Sequence, residues 1–575
     1  MSREVLRELA SAVARLHRVR IHVEQVERWA ERLEESLAEL ELLLGLALPD
    51  EMPPAFEPAP LATPPQRVSP QAPSPHPAAA RAPEAAGQPG LPAEPLSLVQ
   101  AVRALRQGRM SAEELLERVL ARIEDSRDLN AFIAVFPDEA RQQARLRQQE
   151  LKDGRAGLLA GIPLAVKDLM HIQGYAMTGG SRALDSPPAA EDAPALARLR
   201  AAGCVVVGAA NLHELAYGVT SENPHFGPVR NPRDPERVAG GSSGGSAAAL
   251  AAGLALAALG TDTGGSIRIP AACCGVVGLK PTFGRVSRRG VLPLSWSLDH
   301  VGPMALRVAD VALLWAVMAD SPGPEEAALA RMLAGELPPH QATLPDAVRR
   351  AALAALGEAS AEQAASAVTG LRVAVPQAGW LGSLDESVQQ VWERVQRLLL
   401  GAGARLVTAE FPPMAYIRAA QFLILQAEAT AVHRTRLYSC PDRLGPDVRL
   451  RLEIGEFLPA ADYVQAQRLR RMVAEGFRRL FDDPGVELLL VPALPMPAPP
   501  LGARTVRVGS ASEPVHRAMT RFTAPFNQSG LPALVVPAGQ DPQGMPVGVQ
   551  LVGPAGGELE LFRAGMALEV LLQQG

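Results

Sequence analysis

The sequence predicts an α/β protein with a helical appendage at its N-terminus, and three observations carry that expectation. From Phe132 onward, short runs rich in β-branched residues alternate with longer stretches of helical periodicity. Two glycine-rich turns that each end on serine, Gly240-Gly-Ser-Ser-Gly-Gly-Ser246 and Gly260-Thr-Asp-Thr-Gly-Gly-Ser266, flank a small-residue apolar run from Ala247 to Leu259. Ahead of all this, the chain to about residue 95 has a different composition from the rest.

Taken in order, residues 1–51 read as two amphipathic helices. Val5, Leu9, Val13 and Leu16 recur at helical spacing, and Val26, Trp29, Leu33, Leu37, Leu40 and Leu44 do so again. Their apolar stripes imply a helical hairpin that packs on itself or joins two copies of the chain into a homo-oligomer. Residues 52–95 are rich in proline and alanine and bury too little to fold, which predicts a semi-rigid linker. Structure resumes at Ser97, whose hydroxyl suits a helix cap, and Ser111-Ala-Glu-Glu matches a capping box. Residues 96–575 form the main domain. Strands are expected at 162–166, 205–208, 256–260, 372–375, 488–491, 533–536 and 547–552, and helices at 193–202, 308–320, 384–400, 460–481 and 557–572. Residues 323–367, alanine-rich and polar, are expected to be a helical surface insertion.

Of 575 residues, 47% are apolar and 20% charged, with a formal net charge of -5, an ordinary globular balance that leaves no basic footprint for direct nucleic-acid binding. Cys204, Cys273, Cys274 and Cys440 form no Cys-x-x-Cys pair or disulfide framework and read as reduced thiols of a cytoplasmic protein. The charged N-terminus lacks a leader-like apolar stretch, and the run 247–259 is too short to span a bilayer, so no membrane association is expected.

Among 56 basic residues only three are lysine, Lys152, Lys167 and Lys280. A buried lysine can lose its proton where arginine cannot, and Lys167 ends the apolar run Gly-Ile-Pro-Leu-Ala-Val-Lys. Glycines around a serine expose backbone N–H groups suited to an oxyanion. Two chemistries fit. In one, neutral Lys167 takes a proton through Ser242 from Ser266, which attacks an amide carbonyl, while the N–H groups of Thr263, Gly264, Gly265 and Ser266 hold the oxyanion. Asp168, next to the lysine, would oppose this unless strand alternation turns it away. In the other, Gly241-Ser-Ser-Gly-Gly245 is a nucleophile elbow with Ser243 as nucleophile and His300, His433 or His516 as base. His213-Glu214 is followed by Leu-Ala-Tyr rather than a second zinc-binding histidine, and no phosphate loop occurs, so neither metal nor cofactor is called for.

These two turns, with Gly275-Val-Val-Gly-Leu-Lys-Pro-Thr-Phe-Gly-Arg285, resemble the amidase signature family, and the resemblance runs from about residue 96 to 574. It implies a central mixed β-sheet flanked by helices and a Lys167/Ser242/Ser266 triad with Ser242 after a cis peptide. Ser243, Asp262 and Arg268 are implied as supports. Met177, Tyr217, Thr220, Trp296 and Phe526 are candidates for the acyl pocket. The implied activity is hydrolysis of a small-molecule carboxylic amide to acid and ammonia. The family also includes the A-type subunit of the tRNA-dependent amidotransferases, which would make the chain a glutamine-hydrolysing component of an assembly. Residues 1–58 are similar to the small accessory subunits of some amidase-family enzymes, here fused through the linker.

Overall fold

The computed structural model describes residues 96–482 and 485–574, together with Glu39 and Leu42 of the N-terminal segment. The expected helices within 1–51 and the linker at 52–95 otherwise lie outside the described residues.

Among the described residues one large sheet organises the chain. Its strands are β1 (Phe132–Val135), β2 (Pro163–Lys167), β3 (Val205–Ala210), β4 (Ala257–Asp262), β5 (Val277–Lys280), β6 (His300–Ala305), β7 (Arg372–Pro376), β8 (Arg405–Ala409), β9 (Val486–Pro492), β10 (Ala533–Gln540) and β11 (Pro546–Val552). Their spatial order is β1-β3-β2-β4-β6-β5-β10-β11-β9-β7-β8. The ladders β3-β2-β4 and β9-β7-β8 are parallel and the central ones antiparallel, so the sheet is mixed. Helices cover it: α1 (Gly244–Ala251), α2 (Arg268–Cys274), α3 (Val308–Met318), α4 (Met414–Ser439), α5 (Ala460–Asp482) and α6 (Glu558–Leu572) among them.

The parallel strands β2 and β3 are buried on both faces, which is why they read as continuous small apolar runs rather than alternating ones. α3 is apolar almost all round for the same reason, and only Val317 of its residues escapes full burial. Ser97 and Ser111 accept hydrogen bonds from the N–H groups of Gln100 and Glu114, as expected of caps. Cys204, Cys273 and Cys274 are buried free thiols. Residues 323–367 hold three helices, Pro324–Leu333, Asp346–Ala355 and Ala361–Ser366. Two of these, Asp346–Ala355 and Ala361–Ser366, pack on α6, and Val348, Ala351 and Ala352 are buried as part of the core.

Four strands escape the periodicity reading, each for a physical reason. β6 carries His300, Gly302 and Pro303, yet it lies in the middle of the sheet. β5 pairs only with its Met304 and Ala305, and the proline stands outside that short ladder. β5 itself is four residues long, as is β1, and β8 is a half-exposed edge strand. The 26-residue helix α4 also goes unannounced: its buried residues, from Ile417 and Leu423 to His433 and Leu437, fall all round its axis because it is clamped between neighbours.

Leu489 of β9 is wholly buried, with Ala374 and Val552 facing it from the two adjacent strands. Leu489→Ala is expected to lower stability by about 2–5 kcal/mol. A urea midpoint that falls with unchanged slope would show it; a loss below about 1 kcal/mol would contradict this placement of the core.

Candidate active site

Lys167 is the last residue of β2, and its backbone runs beside β4, which ends at Asp262. Its side chain is 0% exposed. The Nζ atom makes two hydrogen bonds, each 2.7 Å long, to the hydroxyls of Ser242 and Thr261. Burial pushes the ammonium down to about 7, against the opposing pull of the Asp262 and Asp299 carboxylates. Asp168 points the other way, accepting from the Thr178 N–H and hydroxyl. Strand alternation thus separates the two neighbours.

Ser242 sits in the turn that opens α1, and the Gly241–Ser242 peptide is cis. Its carbonyl accepts from the N–H of His213 at 3.1 Å and from the Ser221 hydroxyl at 3.3 Å. The turn lies flush against its surroundings: a Cβ on Gly245 would come 2.4 Å from the carbonyl oxygens of Ala131 and Asn211. Ser243 ties the turn to the sheet, its hydroxyl donating to the carbonyl of Thr261 and accepting from the N–H of the same residue. Bound in this way, and joined to no histidine among the described residues, Ser243 does not serve as an elbow nucleophile. His300 Nδ1 instead contacts the carbonyl of Leu298 at 2.7 Å, and burial pushes the ring well below the ordinary histidine range. His433 is buried on α4 beside Arg436.

Ser266 closes the turn between β4 and α2 and opens into a cavity. Its carbonyl accepts from the Ser243 N–H at 3.1 Å, which joins the two serine turns. Among the described residues its hydroxyl has no hydrogen-bond partner, and it is free to meet an incoming carbonyl. Asp262 holds the turn from beneath: its carboxylate accepts from the N–H groups of Gly265, Ile267 and Arg268 and pairs with the Arg268 guanidinium at 2.8 Å. Burial would raise Asp262, but the Arg268 charge and hydrogen bonds hold it well below the usual carboxylate range. Gly265 is therefore removed from the expected oxyanion donors, because its N–H is committed to Asp262 at 2.9 Å. Thr263, Gly264 and Ser266 remain. Carbonyls in the same turn are fixed from outside by the Gln421 amide on Thr263 at 3.1 Å and the Thr523 hydroxyl on Gly264 at 2.6 Å.

The pocket expectations fare unevenly. Tyr217 does line the cavity beside Ser266, with the Arg451 guanidinium 5.4 Å over its ring. Thr220 is buried beside His213, and Met177 is buried away from the cavity. Phe526 is a core residue packed on Phe477. Trp296 is 52% exposed and lines a separate hollow with Asp299 and His300. Much of the remaining lining comes from α4, whose Met414, Ile417, Gln421 and Phe422 share this cavity with Ser266. Nothing in the sequence marks that helix. Thr261, the second partner of Lys167, lies within the Gly-Thr-Asp-Thr run, but its hydroxyl carries no signal until the fold sets it against the amine. Among the described residues no group of His, Cys, Asp or Glu is placed to hold a metal ion, and no helix is long and apolar enough to cross a membrane.

A wholly buried amine touching one serine, and a second serine bared to a cavity in a glycine turn, are the groups that an amide-hydrolysing enzyme calls for. Comparison with known proteins agrees. The family model described as Amidase matches residues 114–562. The chain is 38% identical over 499 residues to the A-type subunit of glutamyl-tRNA(Gln) amidotransferase from Cupriavidus metallidurans, covering 82% of this chain and 96% of that one. It is 36% identical over 484 residues to AtzE, a 1-carboxybiuret hydrolase subunit of Pseudomonas sp. (strain ADP), covering 82% and 98%. Among solved structures, peptide amidase from Stenotrophomonas maltophilia superposes with a TM-score of 0.65 at 29% identity, covering 82% of this chain and 96% of that one. The A-type subunit of glutamyl-tRNA(Gln) amidotransferase from Thermotoga maritima gives 0.63 at 32%, covering 81% and 94%. The chain belongs to the amidase signature family.

Gly265 adopts φ 134°, and a Cβ there would come 2.3 Å from the Thr523 hydroxyl. Gly265→Ala is therefore expected to cost roughly 1–3 kcal/mol and to abolish turnover by displacing the turn. Thermal melting and an ammonia-release assay check it; a fully active, equally stable variant would contradict the geometry.

Proposed function

We propose that the chain hydrolyses a carboxylic amide to acid and ammonia through an acyl-enzyme on Ser266, with Lys167 as base and Ser242 as relay. The observation that carries this reading is the contact of 2.7 Å between the buried, near-neutral Lys167 amine and the Ser242 hydroxyl. Ser266 Oγ attacks the carbonyl carbon as its proton passes to Ser242 and that of Ser242 to Lys167. The carbonyl oxygen becomes an oxyanion held by the N–H groups of Thr263, Gly264 and Ser266. The proton then returns by the same route to the amide nitrogen, the C–N bond breaks, and ammonia leaves. Water, deprotonated along the same relay, cleaves the ester and restores Ser266. The Ser266 hydroxyl has to swing onto Ser242 for the first transfer, a closure of the kind that substrate binding brings about in catalytic hydrogen bonds.

The similarity to the A-type subunits of glutamyl-tRNA(Gln) amidotransferases supports a second reading, in which the same chemistry acts on glutamine and the ammonia passes to a partner. Purified chain releasing ammonia from simple amides favours the first. Glutaminase activity that appears only with partner subunits favours the second.

Because the base must be uncharged, activity is present above the Lys167 pKa and lost as pH falls through it. We expect kcat/KM to rise with a midpoint near pH 7 and then level off. Ser266→Ala should lower kcat by roughly 10⁶-fold and Lys167→Ala by roughly 10²–10⁴-fold. A flat profile between pH 5.5 and 8.5, with Lys167→Ala retaining most of its activity, would overturn the assignment.

A further inference from the structure

Ser221 is a serine where the backbone calls for glycine. It ends a stretch that leads from β3 past the cavity-lining residues Ala216, Tyr217, Gly218 and Val219, and it is 0% exposed. Its φ is 59°, in the left-handed region where a side chain costs backbone energy that glycine would not incur. Such a conformation persists where the surrounding structure over-determines it, and functional sites are where it gathers.

The Ser242 turn is what holds the side chain there. The Ser221 hydroxyl donates its one proton to the carbonyl of Ser242 at 3.3 Å and accepts from the N–H of Gly244 at 3.1 Å. Gly244 opens α1, so its N–H has no partner within that helix, and Ser243 supplies no side-chain cap. The two bonds thus bracket the turn from the Ser242 carbonyl to the start of the helix. Little space is left around the hydroxyl: a Cβ on Gly241 would come 2.8 Å from Ser221 Oγ, and one on Gly244 would come 2.4 Å from it. Ser221 is itself anchored, its carbonyl accepting from the Val229 N–H at 3.0 Å. The Ser242 hydroxyl, 2.7 Å from Lys167 Nζ, is therefore held in place from behind by a residue outside the cavity lining.

We propose that Ser221 is a positioning residue of the proton relay, its hydroxyl clamping the Ser242 turn so that the Ser242 hydroxyl stays on Lys167 while the Ser266 proton is transferred. Glycine would suit the backbone better and could make neither bond. The proposal rests on the reading of Ser242 as the relay.

The test treats full-length protein with phenylmethanesulfonyl fluoride and follows sulfonylation of Ser266 by intact mass, with Ser266→Ala as the blank. In this reaction the Ser266 oxygen bonds to sulfur, fluoride leaves, and the hydroxyl proton passes into the relay, so the rate reads the relay without an amide substrate. Ser221→Gly removes the hydroxyl while relieving the backbone. It should stay folded, as a thermal melt checks, and label roughly 10²-fold more slowly. The pH midpoint of labelling should move by less than about half a unit, because Lys167 remains buried. In a Ser242→Ala background the same change should alter the rate by less than about twofold, since Ser221 acts only through Ser242. If Ser221→Gly does not fold, Ser221→Ala answers the same question. A folded Ser221 variant that labels within about threefold of the starting rate would overturn the proposal, as would one that slows labelling just as much in the Ser242→Ala background. A midpoint that climbs toward the ordinary lysine range, the mark of water let in, would overturn it too. Ser242→Ala labelling at the starting rate would remove the relay and the clamp together, whereas a slow Ser242→Ala beside a fast Ser221→Gly would remove the clamp and leave the relay standing.

Discussion

Everything in the site depends on keeping one amine out of water. Lys167 is enclosed completely, and the cost of burying a charge is what brings its proton within reach of neutral pH. Two hydroxyls, Ser242 and Thr261, receive it without supplying an opposing charge. A carboxylate in either place would stabilise the ammonium and remove the base that the proposed mechanism needs. Asp262 and Asp299 lie close enough to pull in that direction, but each is engaged elsewhere, Asp262 by Arg268 and three backbone N–H groups and Asp299 by the Thr263 hydroxyl and the N–H groups of Leu294 and Ser295.

That arrangement follows from the sheet. Parallel pairing of β2 with β4 places the end of one strand beside Thr261, and the Ser243 N–H on the Ser266 carbonyl holds the two glycine turns together. The turns are then locked by contacts that leave no room for side chains at Gly245 or Gly265. Arg268 fastens the second turn to the far half of the domain, since besides Asp262 it donates to the Thr523 carbonyl and to the side chains of Gln550 and Asn527. It is a structural rivet, fully buried, as befits an arginine that keeps its charge.

The amidase class was readable in the sequence because the motifs that carry it are local. Serines framed by glycines, and a lone lysine closing an apolar strand in a chain that otherwise uses arginine, are visible without any fold. The α/β alternation and most strands were equally plain, since parallel strands buried on both faces announce themselves as short apolar runs. What the sequence hid was set by distance along the chain. Tyr217 was found because it stands near the motifs, whereas Ile417 and Phe422 reach the cavity from a helix whose apolar residues point all ways. Phe526 and Trp296 carry the right chemistry for a pocket and the wrong location, one in the core and one facing outward. β6 was hidden by its proline and glycine, which only the neighbouring ladders make tolerable.

With just three lysines in the chain, the central claim can be read directly. Full-length protein labelled with carbon-13 at the lysine Cε positions should give three resonances, assigned by single substitutions. Burial also drives Lys280 well below the ordinary lysine range, so the Lys167 signal is to be identified by its loss in Lys167→Ala. The account predicts that this resonance titrates with a midpoint near pH 7. A Lys167 signal that stays at the charged position through pH 9 would leave the site without its base.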